Sequence, residues 1–322
     1  MRMMLRTLSS SSSSSSFDWL SLLVVVAAVG FAFATATTTP TTTTAKSSLE
    51  LANEQIEWLR AKGGYYNPKV SIQPLFEAPE SDHDVPLGLF AHEKFHKGEK
   101  LMVVPRHCLL ASEDMCDTAR RLVYELELQE QSDFAPYVAY LFSKDSVPIP
   151  SAWSLDGQDL LQTIRGRNLP PKDLTDVSYE HHCIEEHDDE ESSTPLLEFA
   201  YLTVVSRAWN EYLVPVYDMI NHHSGRYANV DSTRVLGRDD ITIFATRDVT
   251  AGEQLFLSYM DCIDEQGYEL EYVLPQLLRD FGFVDQYPQR WTFPVPSGDN
   301  LVFDLDFVNP EADALYLSLI HI

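Results

Sequence analysis

The chain is short of positive charge, of cysteine and of long apolar runs. Against 49 acidic residues it carries 23 Lys and Arg, a formal charge of −26 over 322 residues. A non-specific nucleic-acid binder needs a basic stripe, so direct nucleic-acid binding is excluded. The excess acid suits a basic partner or substrate segment, and equally a solvated acidic surface. The four cysteines, Cys108, Cys116, Cys183 and Cys262, contain no C-x-x-C pair. That excludes a zinc ribbon and a thioredoxin-like redox motif. Disulfides would fit an oxidising compartment, but their connectivity is not readable. The apolar stretch from Trp19 to Phe33 is 15 residues, short of the ~20 that a membrane-spanning helix needs.

That stretch follows Arg2, Arg6 and a serine run from Ser9 to Ser16, and it precedes Ala34-Thr35-Ala36. A basic start, a short apolar centre and small residues at the exit describe a secretory signal peptide over residues 1–36. A signal anchor is the alternative, and the uncleaved leader is the expected route to any membrane. Residues 37–48 are rich in Thr and free of acid, which reads as a linker. The same composition suits a second targeting element, and the pair resembles a bipartite plastid leader. Entry to the secretory route is expected, with plastid and membrane-anchored destinations both open.

The whole chain is 44% hydrophobic and 11% aromatic, enough for a sizeable core. Leu49 to Lys62 has helical spacing and ends at Gly63-Gly64. Residues 65–110 read as strands, with a glycine inside the apolar run Leu87-Gly88-Leu89-Phe90-Ala91. The turn His96-Lys97-Gly98-Glu99 is echoed by Thr250-Ala251-Gly252-Glu253. Between the strand-rich blocks the periodicity predicts helices over Glu113–Gln131, Phe134–Phe142, Leu155–Ile164 and Pro195–Tyr212. Strands are expected again at 234–236 and 241–245, and a short helix over Gln276–Asp280. His181, His182, Cys183 and His187 sit among six carboxylates. Their spacing matches no closed tetrahedral site, so no metal is assigned and an acidic loop is expected. Residues 315–322 stop inside an apolar run, as the start of a truncated C-terminal region from 287 would.

Two segments carry polar groups in apolar surroundings. One is Val214-Pro215-Val216-Tyr217-Asp218-Met219-Ile220-Asn221-His222. The other is Gly252-Glu253-Gln254-Leu255-Phe256-Leu257-Ser258-Tyr259. Buried polar groups must be paired, and an Asn-His pair offers donors and acceptors to a polar ligand. Read alone, the pair is also compatible with a structural turn. Side chains alternate along a strand, so Tyr259 shares a face with Leu255 and Leu257 and its hydroxyl needs a partner.

These segments, with Gly88-Leu89-Phe90-Ala91, Val205-Ser206-Arg207-Ala208 and Arg279-Asp280-Phe281-Gly282-Phe283 in the same order, resemble SET-domain methyltransferases. The resemblance is to the class with a helical insert, which includes Rubisco large-subunit lysine and actin histidine methyltransferases. It implies an α+β fold of small curved sheets over 49–286, with the insert at about 112–198. It further implies S-adenosyl-L-methionine as cofactor and protein N-methylation of lysine or histidine. Gly88 and Leu89 would form the loop approached by the cofactor, and Arg207 would hold its carboxylate. Asp218, Asn221 and His222 would complete the cofactor side with Phe281, and Tyr259 would line the point of transfer. The implied partner is a protein substrate with a basic segment, met by a monomer. Pro86 stands where the family usually has a glycine, and Phe281 where it often has a tyrosine. A non-catalytic SET-like binding module is the second reading. A metal-dependent hydrolase built on His181, His187 and Asp218 is a third, with little behind it.

Overall fold

The structure, a computed structural model, describes residues 46–76, 85–145, 147–165, 174–184, 193–233, 240–259, 274–287, 289–294, 300–309 and 314–321. The leader, most of the Thr-rich linker, the acidic run after Ile184, the expected strand at 234–236 and Cys262 lie outside the described residues.

Helix α1 (Ser48–Ala61) opens on a capping box. Ser47 accepts from the Glu50 N–H, and Glu50 reaches back to the Ser47 N–H at 2.8 Å. Its buried face, Leu51, Ala52, Ile56 and Leu59, lies against α3 (Ala135–Phe142). Asp114 caps α2 (Met115–Leu128), whose Thr118, Ala119, Leu122 and Glu125 are buried. Two short helices follow, α4 (Leu155–Arg165) and α5 (Tyr179–Cys183), before α6 (Pro195–Arg207) packs along α2. Thr194 caps α6 and Pro195 occupies its first turn, where a missing N–H costs nothing. A disulfide joins Cys116 on α2 to Cys183 on α5, and Cys108 is free and buried.

The helix expected to reach Tyr212 stops at Arg207. Trp209 and Tyr212 exchange backbone hydrogen bonds in a tight turn, with Asn210 at φ +53°. That turn places Arg207 at the C-terminal end of α6, where a cation is favoured.

The strands form small sheets. β1 (Tyr65–Tyr66), β4 (Lys100–Val104), β7 (Ile241–Ala245) and β6 (Val230–Ser232) lie in the spatial order β1-β4-β7-β6, each neighbouring pair antiparallel. β2 (Val70–Pro74) pairs antiparallel with β3 (Leu87–Ala91). β5 (Asn221–His222) and β8 (Phe256–Leu257) form a two-residue parallel ladder. The two echoing turns are physically alike. Gly98 and Gly252 sit at φ +80° and +86°, and Glu99 and Glu253 each accept from the N–H three residues back. After α7 (Leu274–Phe281), the backbone of β9 (Gln289–Pro294), β10 (Asn300–Asn309) and β11 (Ala314–His321) makes a three-stranded antiparallel sheet. Leu277 of α7 is fully buried against Tyr259, Phe281 and Phe283, which brings this helix to the end of β8.

Candidate active site

The two polar segments singled out in the sequence are neighbours in space. Asn221 pairs with Phe256 and His222 with Leu257 across β5 and β8. The approach to β5 is tightly constrained. Val216 is fully buried at φ +66°, a genuine outlier for a β-branched residue. Such strain costs about 1–3 kcal/mol and persists where the surroundings over-determine it. The Asp218 N–H donates to Val214 O at 3.1 Å, and the turn Tyr217–Met219 delivers Asn221 and His222 to the ladder.

Tyr259 is held at both ends. Its main-chain N–H donates to His222 Nδ1 at 2.9 Å, and its hydroxyl donates to Ile220 O at 2.7 Å. The hydroxyl thus finds the partner that its surroundings demand. Its ring lies 5.1 Å from that of His222 and 4.8 Å from that of Phe281. Burial pushes the phenol above its ordinary range, against the opposing pull of Arg207. The Tyr259 side chain is therefore a neutral hydroxyl, not a phenolate.

On one side of Tyr259, Asn221 Nδ2 donates to Leu87 O at 3.0 Å and so lies beside Gly88. A β-carbon on Gly88 would meet Gln254 Nε2 at 2.6 Å, Leu75 Cδ2 at 2.8 Å and Asn221 Nδ2 at 3.2 Å. Close approach is why this strand position carries glycine. Leu89 points elsewhere: it is fully buried, and its carbonyl accepts from the Leu255 N–H at 2.8 Å.

Arg207 and Asp218 stand together. Arg207 Nη1 is 3.3 Å from Asp218 O and 3.6 Å from Asp218 Oδ2. Tyr137 of α3 donates to the same Oδ2 at 3.0 Å, and the Arg207 guanidinium lies 5.8 Å from the Tyr140 ring centre. The Asp218 side chain has no exposed surface, and its Oδ1 has no hydrogen-bond partner among the described residues. Burial pushes its carboxyl up to about 6, against the opposing effects of Arg207 and Tyr137.

Two cavities of about 330 Å³ each meet at this cluster. Ser206, Arg207, Asp218, Tyr259 and Phe281 line both. One extends past Pro86, Leu87, Lys144, Asn221 and Phe283, and offers cations and an amide to a ligand carrying both charges. The other extends past Trp209, Tyr217, Asp231 and Leu257, and offers aromatic faces and carboxylates to a cation. The structure thus brings Arg207, Asp218, Asn221, His222, Tyr259, Phe281 and the Gly88 backbone into one region. Tyr137, Tyr140 and Asp285 join them without having been foreseen. The one sequence signal for the tyrosines is a pair of polar handles, three residues apart, in the apolar helix α3.

The family model described as SET domain matches residues 87–260, more than half of the chain. Comparison with curated proteins gives no match. Several solved structures are similar to this chain. A crystal structure of the SET domain of LSMT bound to lysine and AdoHcy is 16% identical, with a TM-score of 0.48, covering 81% of this chain and 68% of that chain. Rubisco LSMT bound to AdoMet is 17% identical, with a TM-score of 0.48, covering 80% and 67%. Rubisco LSMT bound to sinefungin and monomethyllysine is 16% identical, with the same TM-score and the same coverage as the second.

Proposed function

The chain belongs to the SET-domain family, and on that footing we propose that it is a protein N-methyltransferase using S-adenosyl-L-methionine and acting on lysine. The observation that carries the reading is the shared wall of the two cavities, where Tyr259, Arg207, Asp218 and Phe281 face both sides. A group-transfer enzyme with two substrates needs two sites with one point of contact.

The residues on the Asn221 side fit the cofactor. The Arg207 guanidinium suits its carboxylate. The Asn221 amide and the main chain of His222 suit its amine and adenine. Gly88 lets the Asn221 amide lie close against β3, where a β-carbon would crowd it at 3.2 Å. When bound, the cofactor supplies an activated methyl group on a sulfonium sulfur.

The chain's own residues prepare the acceptor. A free lysine has a pKa of about 10.4 and arrives protonated. Asp231, which lines the acceptor-side cavity, draws that cation inward. Aromatic walls lower the pKa of the amine as it enters, so that it sheds its proton to bulk water before water is excluded and becomes the neutral nucleophile. The Tyr259 hydroxyl oxygen then accepts an amine N–H, while its own proton stays committed to Ile220 O. The amine lone pair is left to point across the shared wall, toward the cofactor side. Alignment of this kind is worth several orders of magnitude in rate.

The acceptor is a basic segment of another protein, favoured by Asp231 on the acceptor side and by the overall charge of −26. Incubation with methyl-labelled S-adenosylmethionine and a cell extract, followed by acid hydrolysis, tests the proposal. Label in N-methyllysine is expected. Cofactor binding without any transfer would reduce the protein to a binding module, and label in another residue would overturn the acceptor.

A further inference from the structure

Asp285 lies beyond α7, in a segment to which nothing above gives a role. Its side chain is 2% exposed, and Oδ2 sits 3.2 Å from His222 Nε2, whose own side chain is 1% exposed. The alignment falls short of an ideal hydrogen bond, and Oδ2 has no other partner among the described residues. A buried carboxylate oxygen without a donor is costly, so the neighbouring ring N–H is its natural complement.

The other face of the same ring fixes which nitrogen carries the proton. The Tyr259 N–H donates to Nδ1 at 2.9 Å, so Nδ1 must hold a lone pair and the proton must sit on Nε2. Among the described residues Nε2 has two polar neighbours, Asp285 Oδ2 and Ser224 Oγ, the latter at 3.4 Å. A hydroxyl accepts or donates and tolerates either tautomer. A carboxylate only accepts, and so selects the Nε2–H form.

We infer that Asp285 is a positioning residue that holds His222 in its Nε2–H tautomer and thereby anchors the main chain of Tyr259. The chain of contacts runs from Asp285 Oδ2 through the His222 ring to the Tyr259 N–H. It fixes the backbone at the point where β8 ends, with the Tyr259 hydroxyl fixed separately on Ile220 O. With the wrong tautomer, an Nδ1–H would face the Tyr259 N–H, and the two donors would part. The ring of Tyr259 would then leave the wall shared by the cavities. Cofactor contacts through Asn221 and the His222 main chain would remain. The inference rests on the reading of Tyr259 as the group that aligns the acceptor, but its structural half is measurable without activity.

Histidine-selective ¹⁵N labelling of the whole protein reads the tautomer directly, with the His222 signals identified by their loss in His222→Asn. In the unmodified protein, Nδ1 is expected to be bare and Nε2 protonated. In Asp285→Leu the tautomers should mix, turnover should fall by about 100-fold as displacement of a reacting group typically causes, and cofactor affinity should hold. Asp285→Asn, whose amide oxygen still accepts from Nε2–H, should restore the tautomer and most of the turnover. A protonated Nδ1 in the unmodified protein would overturn the inference. So would an unchanged tautomer in both Asp285 variants, or turnover and cofactor affinity falling together in both. A correct tautomer pattern in a protein that transfers no methyl group would fault the reading of Tyr259, not the anchoring by Asp285.

Discussion

Arg207 Nη1 lies 3.3 Å from the main-chain oxygen of Asp218 and 3.6 Å from its carboxylate Oδ2. One guanidinium thus braces the turn that carries Asp218 while its fork faces both cavities. Lysine keeps the charge but not the fork. Arg207→Lys should weaken cofactor binding by about 10- to 100-fold, the worth of one or two charge-assisted hydrogen bonds. Titration calorimetry with S-adenosylhomocysteine measures it, and unchanged affinity would remove Arg207 from the cofactor site.

Asp218 makes stability pH-dependent in a direction opposite to that of most carboxylates. Its folded pKa of about 6 lies above the ordinary 3.8. Between those values the folded chain keeps a proton that the unfolded chain has released. The contribution is therefore full below about 3.8 and lost as pH rises through about 6. Denaturant melts of the unmodified protein and Asp218→Asn, compared from pH 4 to pH 7, should show the variant gaining relative stability as pH rises. A difference that stays flat, or that moves the other way, would contradict the burial argument.

Tyr259→Phe removes the hydroxyl and leaves the ring contacts with His222 and Phe281. Turnover should fall by about 10- to 100-fold, as the loss of a hydrogen bond to a charged or reacting group does. Cofactor affinity should change little. Unaltered turnover would take Tyr259 out of the chemistry.

Gly88→Ala places a β-carbon 2.6 Å from Gln254 Nε2 and 2.8 Å from Leu75 Cδ2. Those side chains must shift, and the Asn221 amide is crowded with them. All three are the far ends of flexible side chains and yield cheaply, so the effect is expected chiefly as weaker cofactor binding through the displaced Asn221 amide, with little change in melting temperature. A variant that melts lower but binds the cofactor normally would limit Gly88 to a packing role.

The Cys116–Cys183 bridge spans a sequence separation of 67. On chain entropy such a crosslink is worth about 4 kcal/mol. Cys116→Ser should therefore lower the melting temperature under non-reducing conditions. The same substitution should have no effect in the presence of a strong dithiol reductant.

Much of the architecture is legible in local pattern. α1, α2, α3 and α4 begin and end within two or three residues of their periodic stretches, because caps and apolar stripes are local. α6 ended early because the Trp209–Tyr212 turn is a tertiary choice, made where Leu213 pairs with Leu110. The paired motifs at Asn221 and Tyr259 were visible because each sets polar residues in an apolar run. Their parallel ladder was not, since nothing local relates residue 221 to residue 256. Asp285 and Tyr137 were invisible for the same reason. An aspartate after Phe283 and a tyrosine in a helix acquire meaning only when folding buries them against His222 and Asp218.

A crystal structure with S-adenosylhomocysteine bound tests the division of labour between the two cavities most directly. The ligand is expected beside Pro86, Leu87 and Asn221, with its sulfur turned toward Tyr259 and the cavity of Trp209 and Asp231 left free for the acceptor. A ligand seated in the Trp209 cavity, or one whose sulfur faces away from the shared wall, would contradict it.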